Sequence, residues 1–109
     1  MITWSDFEKI EMRVGTVLEA SDFPEAKKPA YKFKIDFGRF GIKQSSAQIT
    51  KLYKKEDLVG KQVIAVTNFP PKQIANFISE CLVLGVVLEN EEVILLQPER
   101  KVPNGSKIA

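Results

Sequence analysis

The chain of 109 residues contains 16 Lys or Arg, 14 Asp or Glu, one cysteine and no histidine. This length suits one compact domain, and a single cysteine excludes a disulfide within the chain. Without histidine the chain lacks the commonest general base and the usual zinc ligand, so we expect binding rather than catalysis, with no metal and no cofactor.

Cationic residues concentrate in the middle of the chain. Residues 27–72 hold eleven Lys or Arg against three Asp or Glu, a balance of +8, whereas the rest has five against eleven, or −6. Such segregation is typical of a surface that faces a polyanion. Lysines scattered over several solvated faces would give the same counts, so charge alone leaves both interpretations open.

The chain contains no apolar stretch typical of a signal peptide or a membrane span. Residues 1–12 include Asp6, Glu8 and Glu11, whereas a signal peptide needs an apolar run there. The longest apolar stretch, 81–88, is far shorter than the ~20 residues that span a bilayer. We therefore expect a cytoplasmic protein without membrane insertion.

A short helix and a strand are the first predicted elements. The helix covers 5–12 and is capped by Ser5 or Asp6. The strand covers 12–20, and Gly15 inside it indicates a bend or a close backbone approach. Alternate residues of this strand would share one face: Met12, Val14, Thr16 and Leu18.

Two further strand candidates follow a proline-containing loop over 21–30. The second strand alternates strictly, with Tyr31, Phe33, Ile35 and Phe37 on one face and Lys32, Lys34 and Asp36 on the other. The third, IKQSSAQI at 42–49, is bounded by isoleucines but has four polar residues at its centre. Those four cannot all face a core, so this strand is expected to present a polar surface.

The second half predicts one helix and more strands. We expect one or two helical turns within 49–60, a central strand at 61–69, a loop at 70–76 because it begins with two prolines, a long fifth strand at 79–89 and an extra strand at 91–98. Three strands, a short helix and two strands is the order found in barrels of the oligonucleotide/oligosaccharide-binding (OB) type.

The predicted fold class is therefore all-β with short helices, a five-stranded OB-fold barrel with N- and C-terminal extensions, forming a single domain over 1–109. A generic small barrel or an α+β sandwich is the alternative.

Several segments resemble a known family. The start DFEKIEMRVGTV and the later segments IDFG, ITKLY, EDLVGKQV, NFPP and SECL occur in the order found in the tRNA-binding domain at the C-terminus of many methionyl-tRNA synthetases. FPEAKKPAYKFKIDFG, GIKQSSAQIT, VIAVTNFPP and VPNGSKI look more like one branch, the CsaA-type secretion chaperones. The resemblance implies an OB barrel, a homodimer, tRNA binding without catalysis and, for this branch, binding of unfolded or precursor proteins.

The polar candidates for tRNA binding come from the predicted strands. The face formed by strands two and three is the usual nucleic-acid surface of an OB barrel. We expect Lys32, Lys34, Lys43 and Ser45 to form one cationic patch there, with Ser46 adding hydrogen bonds. Serines that merely cap a turn are the alternative. Asn68 and Lys72 are placed at the rim, although Asn68 could instead satisfy turn backbone, and Ser79 matches the family motif.

Aromatic residues supply the second set of candidates. Phe23, Phe40, Phe69 and Phe77 fall in predicted loops, where they could stack on bases, grip apolar peptide segments, plug a barrel end or build a dimer interface. Trp4 in the N-terminal extension suits an interface anchor. Two hypotheses remain, a tRNA-binding module and a peptide-binding chaperone whose tRNA binding is weak or incidental, and a symmetric dimer could serve both.

Overall fold

In the computed structural model, which describes residues 1–109, short strands dominate and two short α-helices interrupt them. The elements in chain order are α1 (Trp4–Glu8), β1 (Met12–Asp22), β2 (Tyr31–Asp36), β3 (Ile42–Ala47), α2 (Lys55–Leu58), β4 (Gln62–Val66), β5 (Lys72–Ile74), β6 (Phe77–Ser79), β7 (Leu82–Val83), β8 (Gly85–Val87) and β9 (Val93–Leu95). Single 3-10 turns lie at Gly38–Phe40 and Glu89–Glu91.

Five strands form one antiparallel sheet in the order β3-β2-β1-β4-β7. Its two edges approach each other because the Glu80 N–H donates to the Gln44 carbonyl across 2.8 Å. The sheet is thus a nearly closed barrel with α2 between β3 and β4, and the prediction of an OB-type barrel is confirmed.

The barrel interior is filled by apolar side chains from every wall. The strict alternation predicted for β2 is confirmed, since Phe33, Ile35 and the following Phe37 are all at most 3% exposed. Gly15 has the role expected of a strand glycine, because a Cβ there would lie 2.6 Å from a methyl of Ile35. The core cluster comprises Val17, Phe33, Ile35, Phe37, Ile49, Leu58, Val63, Ala65 and Cys81.

Strand β1 departs from its predicted alternation. Its pairing with β2 slips between Val17 and Glu19, which makes Leu18 the extra residue of a β-bulge. Val17 is therefore buried and Leu18 is 42% exposed, so the prediction that Leu18 shares a face with Val14 is wrong. A bulge shifts the side-chain alternation by one residue, and residue types alone do not indicate it.

Helix α1 begins earlier than predicted. Its N-cap is Thr3, whose hydroxyl accepts from the Asp6 N–H while the Asp6 carboxylate accepts from the Thr3 N–H. This reciprocal pair is a capping box, so Asp6 belongs to the cap as its third helical residue and Ser5 lies inside the helix.

The segment after the two prolines is a hairpin rather than a loop. Lys72–Ile74 pairs with Phe77–Ser79, because Pro70 and Pro71 remove only their own N–H groups and leave the next residues free to pair. The long fifth strand predicted over 79–89 is also divided: β7 pairs with β4, whereas β8 pairs with β9 in a separate hairpin.

The C-terminal segment covers the free edge of the first half of β1. Val14 N–H donates to the Ser106 carbonyl at 2.9 Å, and Gly105 N–H donates to the Val14 carbonyl at 2.7 Å. The Asn104 amide oxygen accepts from the Thr16 hydroxyl at 2.6 Å. Neither α-helix is long or apolar enough to cross a membrane.

Candidate nucleic-acid interface

The register between β2 and β3 decides which polar side chains share a face. Lys34 lies opposite Gln44 and Lys32 lies opposite Ser46. Directly opposed residues of an antiparallel pair project to the same side of the sheet. These four side chains therefore form one outward surface, called here the cationic face: Lys32, Lys34, Gln44 and Ser46.

Lys43 and Ser45 do not belong to the cationic face, so the prediction of one patch containing them is wrong. They oppose Ile35 and Phe33, both of which point into the barrel. Ser45 is only 1% exposed, so its hydroxyl is not available to a macromolecular ligand. Alternation showed that Lys43 and Ser45 share a face, but it did not show which face turns inward.

The buried side of β3 helps to close the barrel where β3 meets residues 79–81, a contact called here the seam. The Ser45 hydroxyl donates to the Cys81 carbonyl at 2.8 Å, and the Ser79 hydroxyl donates to the same carbonyl at 3.2 Å. Burial raises the pKa of the Cys81 thiol to about 11, against a smaller opposite effect of its hydrogen bond with Ser45. Ser79, a predicted tRNA contact, thus serves the seam while also lining a pocket beside it.

Strand β1 extends the cationic face on its other side. Glu19 pairs with Lys34 and Ser21 pairs with Lys32, so their side chains join the same surface. The Lys34 ammonium lies 3.6 Å from the Glu19 carboxylate, and both groups are exposed, which makes this a weak pair that leaves Lys34 free to exchange partners. Because the bulge at Leu18 shifts the alternation of β1, the sequence does not predict that Glu19 and Ser21 lie on this surface.

Phe77 adds an aromatic surface next to the lysines. It lies in β6 rather than in a loop, and its ring centroid is 5.4 Å from that of Phe23. The Lys32 ammonium lies 5.5 Å from the Phe23 centroid and 6.0 Å from the Phe77 centroid. Phe23 is only 3% exposed, so the prediction that it could grip a ligand is wrong, and its role is to support Phe77 and Lys32.

A pocket of about 700 Å³ adjoins the cationic face at Ser46. Its walls come from the turn before β5, from β5 itself and from the chain between β6 and β7. We call it the Phe69 pocket after the one aromatic residue in its lining, which is 55% exposed. The lining residues are Ser46, Phe69, Pro70, Pro71, Lys72, Gln73, Ile74, Ser79, Glu80, Cys81 and Leu82.

Glu80 is the one carboxylate in the Phe69 pocket. One of its oxygens accepts from the Gln44 backbone N–H at 3.0 Å, beside the bond from its own N–H to Gln44. Residue type alone argues against Glu80 as an RNA contact, because a carboxylate repels phosphate groups. Its backbone contact with β3 could not be inferred without the fold.

Asn68 has a structural role. Its amide oxygen accepts from the Glu11 N–H at 2.9 Å, and its amide nitrogen donates to the Lys9 carbonyl at 2.7 Å. Both ends of the side chain are therefore engaged in holding the segment between α1 and β1. This outcome favours the backbone-satisfying alternative for Asn68 over RNA contact.

An ion pair near Asn68 anchors the same segment. Arg13 donates to Glu11 at 2.7 Å, and its guanidinium lies 3.7 Å from the Phe40 ring centroid. The hydrogen bond from Arg13 lowers the pKa of Glu11, with smaller contributions from Thr67 and from the Lys43 charge. Phe40 is thus half-buried under Arg13 rather than presented to a ligand.

A second, larger concavity lies between the loop that follows β1, the end of β3, β5 and the strands β7 to β9. This apolar groove has a volume of about 1000 Å³, and thirteen of its 21 lining residues are hydrophobic. Val83, Val93 and Leu95 lie along it, Val87 stands 74% exposed at its edge, and Lys28 is on its rim.

The outer side of the β8–β9 hairpin is also apolar. Val86 opposes Ile94 across the hairpin, and Leu88 and Leu96 continue the surface, each between 37% and 47% exposed. We call these four side chains the hairpin patch. Trp4 is 86% exposed at the N-terminus.

The chain is similar in sequence and structure to known proteins. Residues 12–107 match the model of the family described as "Putative tRNA binding domain". The chaperone CsaA of Bacillus anthracis is 55% identical with a TM-score of 0.96, covering 100% of this chain and 99% of that one. The CsaA chaperone protein of Picrophilus torridus is 61% identical with a TM-score of 0.93, and both chains are covered completely.

A longer relative matches over the same region. The methionine–tRNA ligase of Nanoarchaeum equitans is 36% identical over 110 residues, which is 99% of this chain. The chain spans only 14% of the length of that ligase.

Proposed function

The chain belongs to the tRNA binding domain family, within its CsaA branch, and from this membership we propose that it is a non-catalytic tRNA-binding protein of the cytoplasm. The observation that carries the proposal is the cationic face, where Lys32 and Lys34 stand beside Gln44 and Ser46 on one outward wall of an OB barrel.

RNA would be held on this face through its backbone. The lysines attract phosphates, and the Ser46 hydroxyl can donate to phosphate or ribose oxygens. The Gln44 amide nitrogen donates to the Ile78 carbonyl at 2.7 Å, which leaves its second N–H and its amide oxygen for RNA. Lys72, at the start of β5, has no carboxylate within salt-bridge distance and extends the positive charge toward the Phe69 pocket. Phe77 provides a ring on which an unpaired base can stack.

The test is binding of total tRNA over a salt series, measured by mobility shift. For the triple variant Lys32→Ala, Lys34→Ala and Lys72→Ala, we expect the slope of log affinity against log salt to become shallower by about 2 to 3, since each phosphate contact contributes roughly 0.7–0.9. A matched control removes three exposed lysines elsewhere, with Lys54→Ala, Lys101→Ala and Lys107→Ala. Equal slopes for the two triple variants would contradict the proposed interface.

A second candidate function is favoured by the apolar groove. We propose that the protein also binds unfolded or precursor proteins, since a groove of about 1000 Å³ with mostly hydrophobic walls can accept an extended apolar segment. Its relatives of known structure in the CsaA branch are chaperones.

Chaperone activity is tested by the aggregation of a chemically unfolded client at moderate salt. The double variant Val87→Ser and Leu82→Ser changes two exposed groove residues, and we expect it to protect the client less than the unaltered protein does. Val59→Ser, a similar change at an exposed residue outside the groove, is the control. A client that aggregates equally fast with and without the protein would exclude this function.

We further propose that the protein is a homodimer in which a second copy covers the hairpin patch. Four adjacent branched side chains form an exposed apolar surface of the kind that a symmetric contact buries. Light scattering tests this directly: Val86→Glu with Ile94→Glu should give a monomer. If the variant and the unaltered protein were both dimers, the contact would lie elsewhere. If both were monomers, the dimer would be excluded.

A further inference from the structure

We propose that the Phe69 pocket holds one unpaired guanine of the bound RNA and that Glu80 is the residue that selects it. The inference rests on the proposed RNA binding and adds base specificity to it. The Glu80 carboxylate lines a pocket that adjoins the cationic face. In that position an acidic group weakens RNA binding unless it accepts hydrogen bonds from the RNA.

The position of the Glu80 carboxylate is fixed by β3. Its backbone N–H donates to the Gln44 carbonyl at 2.8 Å, and one carboxylate oxygen accepts from the Gln44 N–H at 3.0 Å. The other carboxylate oxygen has no hydrogen-bond partner and no cation within salt-bridge distance. A held carboxylate with free acceptor capacity suits a ligand that presents donors.

Guanine is the base whose Watson–Crick edge presents two adjacent donors, N1–H and the N2 amino group. Adenine and cytosine each place a ring nitrogen acceptor beside their amino group, and uracil places its N3–H between two carbonyl oxygens. A carboxylate therefore meets an opposing acceptor in those three bases but not in guanine. Unpaired RNA bases are commonly recognised through hydrogen bonds on this edge.

The remaining walls of the pocket suit an extruded nucleotide. The Phe69 ring, 55% exposed, and the adjoining Pro70 offer flat apolar surfaces against a base. Lys72 lies in the same wall and can meet the phosphate of that nucleotide. Ser46 belongs both to the pocket and to the cationic face, so an RNA strand on the face can place one base in the pocket.

The experiment compares short uridine-rich RNAs that carry one variable base at the centre, with binding followed by fluorescence anisotropy. We expect the RNA with guanine to bind about ten-fold more tightly than those with adenine, cytosine or uracil, as for a base read by a pair of hydrogen bonds. Inosine lacks the N2 amino group and should lose much of this preference. 7-Deazaguanine keeps the Watson–Crick edge and should bind like guanine.

Two variants separate selection by Glu80 from the shape of the pocket. Glu80→Gln keeps an oxygen that can accept from the Gln44 N–H but presents an amide donor to the base, so the guanine preference should fall below about two-fold. Phe69→Ala should weaken binding of all four RNAs by a similar factor and leave the preference for guanine intact.

The outcomes distinguish this inference from the proposed function. If the unaltered protein binds tRNA but shows equal affinity for the four short RNAs, the guanine pocket is excluded and tRNA binding stands. If no RNA binds, both are excluded. A guanine preference that persists in Glu80→Gln would remove Glu80 as its source, and if that variant folds poorly, the inosine and 7-deazaguanine results on the unaltered protein decide.

Discussion

Strand β3 presents two polar pairs in opposite surroundings. Lys43 and Ser45 face the same way as the buried residues of β2, and the Ser45 hydroxyl joins β3 to the Cys81 carbonyl at the seam. Gln44 and Ser46 face outward beside the lysines of β2. Because each pair contains a serine and a long polar side chain, the comparison separates the effect of position from the effect of residue type.

The difference shows that a polar strand can serve two purposes at once. On the inner side, polar groups form the hydrogen bonds that hold the two edges of the barrel together where the backbone ladder is incomplete. On the outer side, the Ser46 hydroxyl and the Gln44 amide oxygen remain available to a ligand, while the Gln44 amide nitrogen donates to the Ile78 carbonyl at 2.7 Å. We therefore expect changes on the inner side to lower stability, and changes on the outer side to lower RNA affinity.

The largest effect is expected from truncating an inner isoleucine. Ile35 is fully buried in β2, whereas Ile42 is 60% exposed in β3. Ile35→Ala should lower the free energy of unfolding by about 2–5 kcal/mol, because it removes buried methyl groups and leaves a cavity. Ile42→Ala, the matched control, should change it by less than about 0.5 kcal/mol. Denaturant unfolding measures both, and similar losses would refute the assignment of the two faces.

The pH dependence of stability should show whether the Cys81 thiol is buried at the seam. The pKa of Cys81 is raised from 9.0 to about 11 in the folded protein, so the unfolded chain loses its thiol proton first as the pH rises. This contribution is therefore fully present below pH 9 and is lost as the pH rises to 11, with a total of roughly 2–3 kcal/mol.

The Cys81→Ala variant isolates the contribution of the thiol from that of every other group in the protein. Its stability should fall less steeply between pH 9 and 11 than that of the unaltered protein. Parallel curves would mean that water reaches the thiol and that the seam is not closed in solution.

The inner and outer residues could be predicted from the sequence for β2 but not for β3. Strict alternation in β2 predicted its inner residues correctly because Phe33 and Ile35 differ in polarity from Lys32 and Lys34. In β3 both sets of side chains are polar, so alternation could not identify the inner set. Only the pairing register, which depends on the turn at Gly38–Phe40 and on closure of the barrel, decides it.

The candidate site was predictable in part for the same reason. Strict alternation placed Lys32 and Lys34 together on the outward side of β2, whereas in β3 it grouped Lys43 and Ser45 with them instead of Gln44 and Ser46. Phe77 belongs to a hairpin that follows two prolines, where the sequence predicts a loop. Glu80 depends on its contacts with Gln44 across the barrel, which only the fold shows. Phe23 was predicted to lie in a loop, yet the fold buries it against Phe77.

A smaller effect is expected from exchanging the two adjacent serines for alanine. Ser45→Ala removes the bond to the Cys81 carbonyl, although Ser79 still donates to it, so the cost should be about 1 kcal/mol, or roughly 4–8 °C in Tm. Ser46→Ala should leave Tm unchanged and weaken tRNA binding about two- to three-fold. If Ser45→Ala alone weakened tRNA binding at full stability, the inner assignment of Ser45 would be wrong.

The smallest effect compares one lysine from each face. Lys34→Ala should make the salt dependence of tRNA binding shallower by roughly 0.7–0.9, the contribution of one phosphate contact, because Lys34 is exposed on the cationic face and only a weak pair with Glu19 competes for it. Lys43→Ala should leave the slope unchanged, since Lys43 opposes the buried Ile35 and its charge acts on Glu11 and Cys81. Both variants lose one positive charge, so a net-charge effect on RNA attraction would change the two slopes equally. Different slopes would show that RNA contacts the cationic face at Lys34 in β2, and equal losses would mean that the electrostatic field of the whole protein governs binding.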